Sequence, residues 1–327
     1  MLNERPVVRL AVIGAGVMGA NHARLASRTP GVELVAIVDI DEEKRTTLAT
    51  AMGAAHTPDI ESLIDAKSVD AVVIATPTPF HHPVASQCID AGLHVLVEKP
   101  IASTVEEGED LAARAERAGV VLTVGHVERF NPAVRELLRS IEKPIHLQLD
   151  RIGPFTPRVA DNVVIDLMIH DLDLARALAG SEVSRLQAIR QSVRTEGPDM
   201  AIALLEFENG VTASITASRI GQQKLRRIFV TQDDAVLAGD LIRQDVMIHR
   251  MQHVEFVSDS GARYRQSGMV EIPFIENRGE PLVEQLRAFV AAIRGAAPVV
   301  TAEAGVAALD LARSVLAACR PLVPQFA

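Results

Sequence analysis

Aromatic residues are scarce in this 327-residue chain: there is no Trp, a single Tyr (Tyr264), and aromatics make up 3% in all. Together with a net charge of -9, that scarcity removes the stacking platforms and cationic grooves on which nucleic-acid surfaces are built, so no nucleic-acid partner is expected. Cysteine is nearly absent as well. Cys88 and Cys319 stand alone in their neighbourhoods, which excludes a disulfide framework and a thiolate metal site and points to a reducing compartment, the cytoplasm. Also missing are an apolar run of membrane-spanning length and a cleavable signal pattern before the first strand, so no membrane association is expected.

What is present is the balance of a globular protein, 48% hydrophobic and 23% charged, in a chain long enough for two ordinary cores. The first third alternates Val/Ile-rich runs with Ala-rich helical stretches. The runs are Val7 to Ile13, Leu34 to Val38, Ala71 to Ile74, His94 to Val97 and Val120 to Val124. Near-continuous apolar strands separated by helices predict a doubly wound α/β domain with a parallel sheet over residues 1–124. After Gly125 the rhythm changes. Helices are expected over Glu128 to Ser140 and Ile165 to Ala179, with a strand from Ile145 to Ile152 between them. Strand then follows strand from Leu186 to Glu271, with Asn209-Gly210 as the clearest hairpin signal. Residues 125–327 therefore read as a second α/β domain on a largely antiparallel sheet, closed by amphipathic helices Pro281 to Arg294 and Ala302 to Ala318.

The segment AVIGAGVMGANHARLA sets Gly14, Gly16 and Gly19 between a strand and a helix, with Val17 and Met18 at the helix start. The first glycine allows the tight turn, the second lets backbone approach a pyrophosphate, and the third lets helix and strand pack closely, with the phosphates at the helix N-terminus. Asp39 ends the next strand 20 residues after Gly19, the spacing of an acid that accepts hydrogen bonds from the adenosine ribose. That carboxylate would repel a 2′-phosphate, so NAD is the expected cofactor, although nearby Lys44 and Arg45 keep NADP in view.

Two further strands end in ATPTPFHHP and HVLVEKPIA, opening loops at the sheet edge where ligands bind. Thr76, Pro77 and His81 are placed to line the cofactor, and Glu98 and Lys99 form a charged pair before Pro100. Lys99 there is a candidate to stabilise the alkoxide formed as a hydride leaves; a solvent-facing Glu–Lys pair is the plainer alternative. In NVVIDLMIHDLDLARALAG, Asp166 and His170 lie four apart on one face of the expected helix. A carboxylate beside an imidazole fixes its tautomer and leaves the other ring nitrogen to take a proton. His170, Asp171 and Asp173 are also metal-ligand types, but no second His or Cys completes a usual set, so no metal is expected.

The combination VIGAGVMGANHA, ATPTPFH, VEKP, GHVERFNPAV and DLMIHDLDLARAL resembles the glucose-fructose oxidoreductase, inositol dehydrogenase and rhizopine-catabolism (Gfo/Idh/MocA) family across essentially the whole chain. The resemblance implies an NAD(P)-binding Rossmann domain followed by an α/β domain whose open sheet often makes dimer or tetramer contacts. It also implies Lys99, Asp166 and His170 as the catalytic group. Within the family, GHVERFNPAVREL and RIGPFTPRVADNVVIDLMIHDLDL most resemble members that oxidise the 3-hydroxyl of UDP-N-acetylglucosamine to a ketone. On that resemblance Arg129 and Asn131 become candidate substrate contacts, and Arg151 or Arg158 candidate partners of a diphosphate.

Three readings follow: an NAD-dependent dehydrogenase of a nucleotide sugar, a dehydrogenase of a free sugar or cyclic polyol, and a nicotinamide-binding regulator without turnover. The arginines after Phe155 oppose the second, and the presence of Lys99, Asp166 and His170 opposes the third.

Overall fold

The computed structural model describes residues 7–156, 162–258, 261–275 and 279–321. The chain forms two compact units, one running to Phe130 and taking in Gly279–Asp310, the other covering Asn131–Arg278 and the chain from Leu311 onward. The boundary in the packing is thus at Phe130 rather than residue 124, and a late segment returns to the first unit.

In the first unit, strands β1 (Val8–Ile13), β2 (Val32–Val38), β3 (Ala55–Thr57), β4 (Ala71–Ile74), β5 (His94–Val97) and β6 (Leu122–Val124) alternate with helices α1 (Val17–Ala26), α2 (Glu42–Met52), α3 (Glu61–Asp65), α4 (His81–Asp90) and α5 (Val105–Ala118). All strand pairs are parallel, in the order β3-β2-β1-β4-β5-β6. This is the doubly wound arrangement, with its switch point between β1 and β4, where the crevice for a dinucleotide opens. The short strand β3, which only three residues form, had no apolar run to betray it.

Val8, Leu10 and Val12 of β1 point to one face, where they meet Ala23 and Ala26 of α1 and also Leu282, Leu286, Phe289 and Val290 of α8 (Pro281–Ile293). The nucleotide sheet is therefore covered on that side by a helix almost 270 residues downstream of β1. Its apolar residues recur at i, i+4, i+7 and i+8, the stripe that a sheet face buries.

The second unit begins with α6 (Pro132–Ser140), followed by β7 (His146–Ile152), α7 (Ile169–Ala179), β8 (Val183–Gln191), β9 (Met200–Phe207), β10 (Thr212–Ser218), β11 (Leu225–Thr231), β12 (Ala235–Asp240), β13 (Asp245–Ser258) and β14 (Gly261–Glu271). Helix α9 (Ala302–Ala318) contains the division between units, and β15 (Cys319–Pro321) adds an edge strand. The sheet order is β14-β13-β12-β11-β7-β10-β9-β8-β15. Most pairs are antiparallel; β7–β10 and β8–β15 are parallel. The Asn209-Gly210 hairpin forms as the sequence implies, with Phe207 and Val211 closing it.

Register explains which face is buried. Leu205, Ala213, Leu147, Val230, Leu237 and Ile248 lie side by side across six strands and all are buried. One residue along, Leu204, Ser214, Gln148, Phe229, Ala238 and Met247 form the opposite row, with Leu204 and Met247 exposed. This is the period-two alternation of a sheet with one covered face. Among the described residues no helix is long and apolar enough to cross a membrane.

Candidate active site

A cavity of about 710 Å³ opens in the first unit at the carboxyl ends of β1, β2 and β4. Gly14, Gly16, Val17, Met18, Asp39, Thr76 and Pro77 all line it, so seven residues singled out from three separate stretches of sequence meet in one crevice. The glycines differ in what they permit. Gly14 has φ +101°, and a Cβ there would sit 2.6 Å from the Ala75 carbonyl; one on Gly19 would sit 1.7 Å from the Gly14 carbonyl. Those two positions are closed to any side chain. A Cβ on Gly16 meets nothing within 4 Å, because it would project into the open space at the start of α1 that a pyrophosphate needs. The residues fit a dinucleotide.

Asp39 is held from two sides. Its Oδ2 accepts the Ala15 N–H at 2.6 Å and its Oδ1 accepts the Asp41 N–H at 2.8 Å. Each oxygen retains a lone pair, which two ribose hydroxyls can use. The basic residues beside it are occupied: Lys44 Nζ lies 2.9 Å from Asp41, and Arg45 reaches the carbonyls of Asp39 and Ile40 at 3.5 and 3.3 Å. Ile40, Ile60, Phe80 and Val84 supply an apolar wall suited to an adenine ring; Ile60 follows the short strand that the sequence reading passed over. Thr76 turns a buried hydroxyl into this region, and it has no hydrogen-bond partner among the described residues.

A larger hollow, about 970 Å³, lies at the opposite, amino-terminal edge of the sheet beside Arg9, Asp70 and His94. It holds none of the candidate residues, and Arg9 there is already bound to Asp70 at 2.7 Å. Ligands of open parallel sheets bind at the other edge.

Two residues expected to line the cofactor do something else. His81 is 1% exposed, with Nδ1 2.8 Å from the Pro100 carbonyl and Nε2 2.9 Å from the Thr76 carbonyl. It braces the loop after β4 against the loop after β5 and does not line the crevice. Glu98 also turns inward: its Oε1 lies 2.8 Å from Nε2 of buried His22 on α1, a residue the sequence reading quoted but did not single out. Lys99 follows, half-buried, at the carboxyl end of β5 and joined to Pro100 by a cis peptide.

In the second unit, Asp166 lies in a π-helical turn, Val164–Met168, and His170 in the first turn of α7. The expected α-helix from Ile165 is thus wider over its first turn, a feature often found at functional sites. Asn162 Oδ1 caps it, accepting N–H bonds from Val164 and Ile165 at 3.0 and 3.1 Å. The loop between β8 and β9 packs here too, with the Pro198 carbonyl accepting the Val163 N–H at 3.0 Å. That loop is organised by Asp199, fully buried, whose Oδ2 accepts N–H bonds from Val193, Arg194 and Thr195 at 2.8, 2.6 and 3.0 Å. Burial pushes the carboxyl up, but the three backbone donors and the Thr195 hydroxyl outweigh it and hold the group below the usual range. The loop carries Arg194 over the ring of Phe155, 5.3 Å from its centroid.

Three of the four candidate substrate contacts can be placed. Arg151 is corrected: on β7 it shares the inward face with Leu147 and Leu149, and it meets Asp171 of α7 through Nε at 2.7 Å and Nη2 at 2.8 Å, both side chains 3% exposed. A guanidinium so buried is not offered to a diphosphate. Asn131 is corrected as well, being 2% exposed, the N-cap of α6, and a donor to the Leu241 carbonyl at 3.0 Å. Arg129 is half-buried in a short 3-10 turn, Val127–Phe130, so the helix expected from Glu128 begins only at Pro132. Arg158 lies outside the described residues. Among the described residues no group of three or more His, Cys, Asp or Glu is arranged to hold a metal.

Comparison with known proteins places these two units in context. Residues 8–126 match the oxidoreductase family with an NAD-binding Rossmann fold, and residues 150–238 match the Gfo/Idh/MocA C-terminal domain. UDP-N-acetylglucosamine 3-dehydrogenase of Acidithiobacillus ferrooxidans is 34% identical over 74% of this chain and 77% of its own. A solved structure of that enzyme superposes with a TM-score of 0.86 at 30% identity, covering 96% of this chain and 98% of that one. The NAD-dependent scyllo-inositol 2-dehydrogenase of Bacillus subtilis is 27% identical over 86% of this chain and 90% of its own.

Proposed function

We propose, from the premise that this chain belongs to the Gfo/Idh/MocA family of NAD-binding oxidoreductases, that it oxidises the 3-hydroxyl of UDP-N-acetylglucosamine to a 3-keto sugar. The observation that carries this reading is its likeness to the Acidithiobacillus ferrooxidans enzyme, 34% in sequence and near-complete in structural coverage.

Oxidation of a secondary alcohol requires the loss of the hydroxyl proton and of a hydride from the carbinol carbon. Bound NAD supplies the hydride acceptor. The chain supplies the rest. Gly14, Gly16 and the start of α1 would hold the pyrophosphate, and Asp39 would hold the ribose, in the cavity they line. To Lys99 of the first unit and His170 of the second we assign the two remaining roles, one taking the proton and the other stabilising the alkoxide. Asp166, one turn before His170, orients the imidazole. With Arg151 engaged by Asp171, we assign the diphosphate contact to Arg194, an exposed residue whose guanidinium lies over the Phe155 ring and whose backbone is pinned by Asp199.

A second reading, oxidation of a free cyclic polyol, is favoured by the inositol dehydrogenase, which matches a longer stretch of this chain at lower identity, and by the loss of Arg151 as a phosphate partner. NADH formation by purified protein over UDP-sugars, free sugars and inositols, with mass spectrometry of the product, decides between them. Loss of two hydrogens from UDP-N-acetylglucosamine supports the first reading. Turnover of inositol with none of the nucleotide sugar replaces it with the second.

We also propose a homodimer or homotetramer, supported by the exposed Leu204, Val236 and Met247 on the outward face of the nine-stranded sheet. Light scattering coupled to size exclusion reads the mass, and a monomer at micromolar concentration refutes this.

A further inference from the structure

We propose that His22 and Glu98 form a buried positioning pair that fixes the backbone of Lys99 to the helix that receives the cofactor phosphates, an inference that rests on Lys99 being the reactive lysine. Four observations carry it, all inside the first unit. His22 sits on the second turn of α1, the helix whose N-terminus opens the dinucleotide crevice, and it is 1% exposed. Its Nε2 lies 2.8 Å from Glu98 Oε1. The other oxygen of the same carboxylate accepts the Lys99 N–H at 3.3 Å. On the far side, Gly125 leaves the space the carboxylate needs, since a Cβ there would lie 2.7 Å from Glu98 Oε2 and 2.9 Å from Glu98 Cα.

The chemistry of the arrangement is specific. A carboxylate at 7% exposure has lost its water and must be compensated by protein donors. Here the donors come from two elements that have separate jobs, one opening onto the phosphates and one presenting the lysine. A carboxylate acceptor requires the hydrogen on Nε2 of His22, and Nδ1 is buried without a partner among the described residues. Glu98 therefore serves as the inward anchor of the Glu-Lys-Pro turn, so that Lys99 emerges from a main chain held in register with α1.

The test uses the full chain and the variants His22→Leu, Glu98→Gln and Gly125→Ala, with His22→Gln as the conservative replacement that keeps a donor. Circular dichroism and thermal melting establish which are folded; the near-isosteric Glu98→Gln and His22→Gln keep the test readable if His22→Leu is not. The first readout needs no sugar. The rate of Lys99 acetylation by acetic anhydride, with and without NAD, is measured by peptide mass spectrometry against the exposed Lys143 and Lys224 as internal references. A several-fold change at Lys99 alone in Glu98→Gln, His22→Leu and Gly125→Ala, with His22→Gln nearer to wild type, is expected. The second readout uses whichever substrate of the panel is turned over. Misplacing a catalytic group by about 1 Å costs on the order of 10²-fold, so kcat should fall by that order while the substrate KM moves little. Lys99→Met separates the two ideas. If it leaves turnover intact, the assignment of Lys99 as reactive fails, whatever the pair does. If Lys99→Met abolishes turnover but folded Glu98→Gln and His22→Leu keep wild-type kcat and wild-type Lys99 acetylation, the pair is packing only and the proposal is overturned.

Discussion

The guanidinium of Arg151 and the carboxylate of Asp171 form a bidentate pair, 2.7 and 2.8 Å apart, with both side chains 3% exposed. Breaking a buried pair by removing one partner leaves the other charge uncompensated, which typically costs about 3 to 5 kcal/mol. Arg151→Ala and Asp171→Ala should each destabilise by that order in urea unfolding. The double replacement Arg151→Met with Asp171→Leu should recover most of the loss, whereas additive losses would mean that the two side chains act independently.

Cofactor choice turns on Asp39. With its carboxylate fixed by the Ala15 and Asp41 N–H groups and with Lys44 held by Asp41, NAD should bind more tightly than NADP in fluorescence titrations. Asp39→Ala should narrow the gap by removing both the ribose acceptor and the charge that repels a 2′-phosphate. NADP binding as tight as NAD in the unmodified chain would refute this.

Lys99→Met and His170→Ala should each lower kcat by about 10² to 10⁴, the usual contribution of a general acid or base, with little change in NAD affinity. Asp166→Asn should lose less, since the imidazole stays but loses its orienting charge. Near-wild-type kcat in both Lys99→Met and His170→Ala would remove them from the reaction.

Asp199 gives the loop between β8 and β9 a defined pH dependence. Its folded-state carboxyl is held below the usual range, so its contribution is complete above the unfolded value of about 3.9 and is lost as pH falls through the folded one. Asp199→Asn should cost about 1 to 3 kcal/mol at pH 7, the range for a buried group left with unmade hydrogen bonds. The difference from wild type should shrink in acid. If Arg194 meets the diphosphate, the same variant and Arg194→Met should raise KM for a UDP-sugar more than they lower kcat.

Local spacing alone was enough to read several features. The βαβ rhythm gave the parallel sheet, Asn209-Gly210 gave the hairpin, and Gly14, Gly16, Gly19 and Asp39 gave the crevice, because turn geometry and helix-strand contact are set within a few tens of residues. The partners of long polar side chains emerge from the folded chain. Whether Arg151 faces solvent or Asp171, whether Glu98 pairs with the lysine beside it or with His22, and whether Asn131 meets ligand or caps α6 depend on residues 20, 76 and 110 positions away. The same holds for α8, whose apolar stripe was legible but whose place against β1 and α1 was not. An amphipathic stripe specifies that a helix face is buried, and a buried charge specifies that it is paired; neither names the element that arrives from elsewhere in the chain to do it.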